Sequence, residues 1–271
     1  MSELPLEADA TQPLAETVEH LRMKVGTPAL AVGVYQGADK LFIKKLVLVD
    51  WSTGRSADAG TPFCIGSTSK LFVGLTTRHL AAGGLIDLDT PLSRTLPTVA
   101  DAKRATLRML ATNQAGCPNC HTINQFGDAT GRRTWRVGGD SLHDVSGDAL
   151  SKCGAAGDLR SSLPDLCSFT DAAFRDTVLV SASRLSSADA LATGAEGYRY
   201  GLAVEVQGAG AAETLEHCGL VPGYSACLSY RPHDDTAVVV LTNVYGTPRT
   251  ARPALAVSDA LFRWLASQPS S

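Results

Sequence analysis

Near the start of the chain the apolar positions Leu14, Val18, Leu21 and Val25 recur at spacings of four, three and four, which predicts one face of an amphipathic helix. The run GTPALAVGVYQGADK then predicts a buried strand ending in a glycine-containing turn, with LFIKKLVLVDW as its hairpin partner. Residues 67–83 predict a helix rich in Leu and Ala, closed by Gly83 and Gly84. A loop, LIDLDTPLSRTLP, leads to a short helix at about 104–112. Between 113 and 155 Gly, Asp, Arg, Thr and Asn replace apolar clusters, which predicts a loop-rich middle. Helical patterns return over 158–190, as in LPDLCSFTDAAF. Strand-like runs come next: YRYGLAVEVQ, ETLEHCGL with YSACLSYRP, and TAVVVLTNVY. GAGAA at 208–212 fits a hairpin turn, and YRPHDDT a polar turn with His233 exposed. A last amphipathic helix turns Val257, Leu261, Trp264 and Leu265 inward. Both ends of the chain thus supply strands and a helix, and the helices between them are grouped. The order predicts an α/β (α+β) architecture, an antiparallel sheet flanked by helices with a helical part built from the middle.

Composition narrows the function classes. With 271 residues, 44% of them hydrophobic, the chain can bury a substantial core. A net charge of -3 with 19% charged residues leaves no large basic surface, so nucleic acid is not an expected partner. The first residues, MSELPLEADATQPLAETVEH, have no basic start and no apolar run, and no stretch reaches the roughly 18–20 apolar residues of a membrane span. The expectation is a soluble, cytoplasmic protein that binds no membrane. Its seven cysteines are scattered and odd in number, and in such a compartment they read as buried thiols.

Chemistry concentrates in FCIGSTSKLF, residues 63–72. On a helix, Ser67 and Lys70 would share one face at i and i+3. A serine hydroxyl becomes a nucleophile when an adjacent base takes its proton. A lysine can be that base when burial or a neighbouring positive charge lowers its proton affinity. The apolar flanks supply such burial, and backbone N–H groups at a helix start favour a developing oxyanion. No other lysine has a serine three places before it. The alternative is an ordinary helix cap and a surface lysine.

The wider stretch FCIGSTSKLFVGLTTRHLAAGGLIDLDTPLSRTLP resembles the active-site helix of the serine β-lactamase and penicillin-binding protein superfamily, in its class C β-lactamase and esterase branch. The resemblance runs through Phe63, Ile65, Ser67, Lys70, Leu80, Gly84, Leu85, Leu88, Asp89, Pro91 and Pro97. Upstream, GTPALAVGVYQG resembles the first core strand of that family. EHCGLVPGYSACLSYRPHDDTAVVVLTN resembles its third motif, which places His217, Cys218 and Gly219 on the strand lining the site. The resemblance implies that the Leu220 and Ser67 amides form an oxyanion hole, that Gly219 lets substrate lie close, and that His217 offers a donor toward it. The implied domains are residues 13–65 with 156–268 as the sheet-containing part, and 66–155 as a reduced helical part carrying the nucleophile.

The resemblance breaks at the second motif, Tyr-x-Asn or Ser-x-Asn, because residues 117–154 contain no tyrosine. Ser146, in Ser146–Gly147–Asp148, is the candidate replacement, and His143 with Asp144 the alternative base pair. The short middle predicts an open cleft, or one completed by a second copy of the chain. CPNCH at 117–121 carries a Cys-x-x-Cys-His pattern, but no second close ligand pair accompanies it, so a disulfide or loop thiols are expected and no metal or cofactor. Arg249 or Arg252 is expected to meet a substrate carboxylate. The implied activity is a serine hydrolase that acts through an acyl-enzyme on a small ester, amide or β-lactam. The rivals are an acyltransferase and a binding or biosynthetic accessory protein that has lost hydrolysis.

Overall fold

The computed structural model describes residues 8–37, 39–47, 60–98, 101–116, 135–138, 141–144, 154–175, 185 and 190–268. Its centre is an eight-stranded antiparallel sheet. The strands of this sheet are β1 (Ala29–Gln36), β2 (Asp39–Val47), β7 (Leu191–Ala192), β8 (Tyr198–Tyr200), β9 (Glu205–Gln207), β10 (Thr214–Val221), β11 (Tyr224–Arg231) and β12 (Thr236–Thr242), in the spatial order β2-β1-β12-β11-β10-β9-β8-β7. Two-stranded pairs lie apart from it, β3 (Phe63–Cys64) with β6 (Arg160–Ser161), and β4 (Trp135–Gly138) with β5 (Ser141–Asp144).

Both faces of the sheet are covered, which is why β1 and β12 read as nearly unbroken apolar runs instead of alternating ones. Leu30, Val32, Val34, Val238 and Val240 face α1 (Ala8–Val25) and α5 (Pro253–Ala266), where Leu14, Val18, Leu21, Val25, Val257 and Leu261 are buried. The intervening Ala31, Tyr35, Val239 and Leu241 face α2 (Ser69–Ala82) and α4 (Leu163–Thr170) through Leu71, Leu163 and Leu166. The predicted spacing in α1 is therefore a true buried stripe. Trp264 and Leu265 pack half-buried at the edge of the same cluster. Among the described residues, no helix is long and apolar enough to cross a membrane.

Outside the Ser67 turn and the His217 ring, three departures from the sequence reading stand out. First, YRYGLAVEVQ is a hairpin and not one strand: β8 and β9 pair with each other, Tyr198 opposite Gln207. Residues 201–204 form its tip, with Ala203 at φ +58° and its amide donating to the Ala111 carbonyl at the end of α3 (Leu107–Ala111). Second, Cys218 and Cys227 are not thiols but a disulfide. Sheet register sets them directly opposite on β10 and β11, 4.1 Å apart at Cα, and no sequence spacing predicts a register. Cys64 and Cys167 are buried thiols as expected, while Cys117, Cys120 and Cys153 lie outside the described residues. Third, Arg249 does not face a cleft. Its guanidinium donates to the Met23 and Lys24 carbonyls and so closes the C-terminus of α1.

One buried polar cluster predicts how stability depends on pH. Glu216 sits opposite Glu205 across the β9–β10 ladder, both buried. Ser229 Oγ donates to Glu216 Oε2 at 3.0 Å. Burial, with the charges of Glu205 and Asp259 adding to it, pushes Glu216 up to about 7, and burial alone, against the pull of Arg252 and Lys70, pushes Glu205 up to about 6, from 4.5. The folded protein therefore holds these protons more tightly than the unfolded chain, so the contribution of these two groups to stability is fully present below about pH 4.5 and is lost as pH rises through 6 to 7. Glu216→Gln removes the charge and keeps an acceptor for Ser229. At pH 8 it is expected to be more stable than the parent by roughly 1–3 kcal/mol, with the difference vanishing near pH 4. Chemical denaturation at both pH values measures this, and an equal or lower stability at pH 8 refutes it.

Candidate active site

The chain reaches the site from β3. Phe63 and Cys64 pair with Ser161 and Arg160, and the Ile65 amide donates to the Leu159 carbonyl at 3.1 Å. Gly66, at φ +52°, then turns the backbone into a 3-10 turn, Gly66–Thr68, and α2 begins only at Ser69. Ser67 is thus in a turn before the helix, not in its first residue. Ser69 Oγ donates back to the Gly66 carbonyl at 2.6 Å and accepts from the Leu159 amide at 3.2 Å, which braces the turn. Three residues on from Ser67, Lys70 Nζ lies 2.6 Å from Ser67 Oγ and 3.2 Å from the Ala156 carbonyl. Both side chains are half-buried. A contact this short can carry a proton in either direction.

Opposite the turn runs β10. β9 pairs only with residues 214–216 of it, so from His217 onward β10 faces the nucleophile turn and no strand pairs with its outer edge among the described residues. Cys218 and Cys227 stand at the narrow spacing of a non-hydrogen-bonded antiparallel pair. By the alternation of the ladder, Cys218 and Leu220 turn their amides away from β11. Two glycines permit the approach of turn and strand. A methyl group at Gly219 would fall 1.8 Å from the Ile65 carbonyl oxygen and 2.9 Å from the Ser67 nitrogen, and one at Gly66 would fall 2.9 Å from the Leu220 nitrogen. The Ser67 turn and the Gly219–Leu220 backbone are therefore in close contact. Thr68 Oγ1 donates to the His217 carbonyl at 3.1 Å and ties the two segments together.

His217 sits differently from expectation. Its ring is buried, and both nitrogens are already engaged within the protein: Nε2 with Tyr200 Oη at 3.0 Å, and Nδ1 with the Cys218 carbonyl at 3.1 Å and Glu205 Oε1 at 3.4 Å. A ring closed in this way offers no donor to a substrate. Burial, helped by the positive charges of Lys70 and Arg252, holds the imidazole down at about 3, so it is neutral. Tyr200 is raised well above its usual range by burial and by the Glu205 charge, and the Asn113 side chain bonds to its oxygen.

The structure brings Ser67, Lys70, Gly219 and Leu220 together and adds Thr68, Tyr200 and Glu205, which the sequence reading missed. Tyr200 and Glu205 belong to one short hairpin, and nothing in a linear sequence marks two residues on either side of a tip as ring partners of a histidine on the next strand. Ser146 and CPNCH lie outside the described residues. His143 and Asp144 fall on β5, opposite Arg136 and Trp135. Arg252 ends the loop before α5 and bears electrostatically on Glu205 and His217. Among the described residues, no group of three or more His, Cys, Asp and Glu side chains is arranged to hold a metal.

Known proteins share this fold. A solved D-amino acid amidase from Ochrobactrum anthropi SV3 superposes with a TM-score of 0.78 over 94% of this chain and 100% of its own, at 15% identity. A class C β-lactamase from Rhodobacter sphaeroides does so with a TM-score of 0.72, over 93% and 99%, at 16% identity. At those identities the likeness is one of fold. A β-lactamase of Yersinia enterocolitica is 31% identical over 103 residues, 37% of this chain, and the match spans about a quarter (26%) of that relative's length. The Beta-lactamase family model matches residues 14–130 and 121–261. With the described sheet, the turn that carries Ser67 and most of both terminal helices inside those bounds, the chain belongs to the Beta-lactamase family.

Proposed function

We propose that the protein is a serine hydrolase that works through an acyl-enzyme on a small ester, amide or β-lactam. The observation that carries this reading is the 2.6 Å contact between Lys70 Nζ and Ser67 Oγ, set against the close backbone of Gly219 and Leu220. Ser67 Oγ attacks the substrate carbonyl carbon while Lys70, as the free amine, takes the hydroxyl proton. The carbonyl oxygen becomes an oxyanion held by the Ser67 and Leu220 N–H groups. Collapse of that adduct breaks the bond to the leaving group, which takes the proton from Lys70. Water then attacks the acyl carbon, its proton passes through Lys70 back to Ser67 Oγ, and the acid departs. The open outer edge of β10 gives an extended substrate a place to lie against Gly219 and Leu220.

The second reading is a pocket that binds acyl compounds or transfers the acyl group to another acceptor without efficient hydrolysis. The absence of tyrosine from residues 117–154 favours it, since losing one member of a cooperating set costs several orders of magnitude in rate. Nitrocefin and chromogenic esters, read out by intact-mass spectrometry, separate the two. Hydrolysis predicts turnover and a transient adduct, both absent in Ser67→Ala. An adduct that persists in water but moves to an added amine or alcohol indicates transfer. No adduct from any donor refutes the hydrolase.

A further inference from the structure

The polar contacts around His217 run in one direction only. Nδ1 faces two acceptors, the Cys218 carbonyl and Glu205 Oε1, so the ring proton must reside on Nδ1. Nε2 is then a lone-pair acceptor, and the partner 3.0 Å away, Tyr200 Oη, must donate. The Tyr200 oxygen in turn accepts from the Asn113 side chain. The chain of donors runs Asn113, Tyr200, His217, and ends on the Cys218 carbonyl and Glu205. It is assembled from three separate elements. Asn113 comes just after α3, Tyr200 and Glu205 flank the 201–204 tip, and that tip is itself tied to α3 through Ala203 and Ala111.

The place where this chain ends is where the sheet gives least support. β9 leaves β10 after Glu216, so residues 217–221 have no ladder bonds on their outer side among the described residues. That same segment supplies the carbonyl that holds Thr68 and the amide of Leu220. We propose that Tyr200 is a positioning residue: acting through His217, it fixes the segment of β10 that only β11 pairs among the described residues, and so sets the distance between the Leu220 and Ser67 amides. The charged groups that face the ring are Glu205 from β9, Lys70 from α2 and Arg252 from the start of α5. The two cations disfavour an imidazolium, which would lose the bond from Tyr200. The kinetic part of the proposal rests on the serine-hydrolase reading; the structural part does not.

Tyr200→Phe removes one hydroxyl and keeps the edge-on ring contact with His217, 5.9 Å between centroids. The parent is expected to show His217 as the Nδ1–H tautomer in long-range nitrogen–proton NMR spectra, unchanged between about pH 5 and 8. In Tyr200→Phe the His217 nitrogen shifts are expected to move, and amide exchange at His217 and Gly219 to quicken at least about tenfold. For any ester that the parent turns over, kcat is expected to fall about 10- to 100-fold with KM within about twofold. Asn113→Gly, which suits the left-handed backbone at that position (φ +57°), should move the same signals less, and decides the matter if Tyr200→Phe does not fold. An Nε2–H tautomer in the parent, or unchanged exchange in the variants, overturns the proposal. So does an unchanged kcat in an active parent. If no donor acylates the parent, the hydrolase reading fails, and the tautomer and exchange measurements still decide the role of Tyr200.

Discussion

Lys70→Arg is expected to slow acylation of Ser67 by about a thousandfold or more while leaving the fold intact. Arginine keeps the positive charge and nearly the same reach, so any purely electrostatic role of Lys70 would survive. What it cannot do is release its proton in a protein, and the guanidinium therefore cannot accept one from a serine hydroxyl. The 2.6 Å contact leaves no room for an intervening water between Nζ and Ser67 Oγ, so in the parent the proton passes directly to Lys70. Rapid quench of the protein with a chromogenic ester, with intact-mass measurement of the quenched samples, reads the acylation rate directly. Retention of more than a tenth of the parent rate would show that Lys70 is not the base.

Gly219→Ala is the second large effect. The added methyl would meet the Ile65 carbonyl at 1.8 Å, and carbonyl backbone cannot rotate aside like the end of a flexible side chain. Turn and strand must separate, which draws the Leu220 amide away from the Ser67 amide. A fall of about 10²–10³ in kcat/KM is expected, the size of losing one oxyanion donor. Overpacking should also lower stability by about 1–3 kcal/mol. Leu220→Ala is the control, because only the backbone of Leu220 is used; its activity should stay within about threefold. If Gly219→Ala matches that control, the close approach of β10 to the nucleophile turn has no part in the chemistry.

Much of the architecture was legible before any coordinates. The stripe in α1 and the continuous apolar runs of β1 and β12 report burial, and burial is written in residue type at each position. Ser67 and Lys70 were legible because they are near neighbours along the chain, where backbone geometry alone limits how far apart they can be. The apolar flanks FCIG and LF announced the half-buried setting in which the pair sits. The loop-rich middle hid the most: without regular periodicity, composition marks a segment but not its course, and Ser146 remains a candidate by sequence alone.

What the linear order could not disclose depends on register. The break of YRYGLAVEVQ at Gly201–Val204 lets a hairpin form, and only then do Tyr200 and Glu205 stand beside His217. The Cys218–Cys227 bridge likewise depends on which residues two strands place opposite one another. The chain's order of residues determined which surfaces are apolar and which serine has a lysine one turn away, and hence the layers and the candidate pair. Tertiary structure alone decided the ring partners of a histidine and the close approach of two backbone segments across a pair of glycines. Local sequence governs dihedral and burial preferences over a few residues, whereas contacts between distant segments arise only when strands choose their partners.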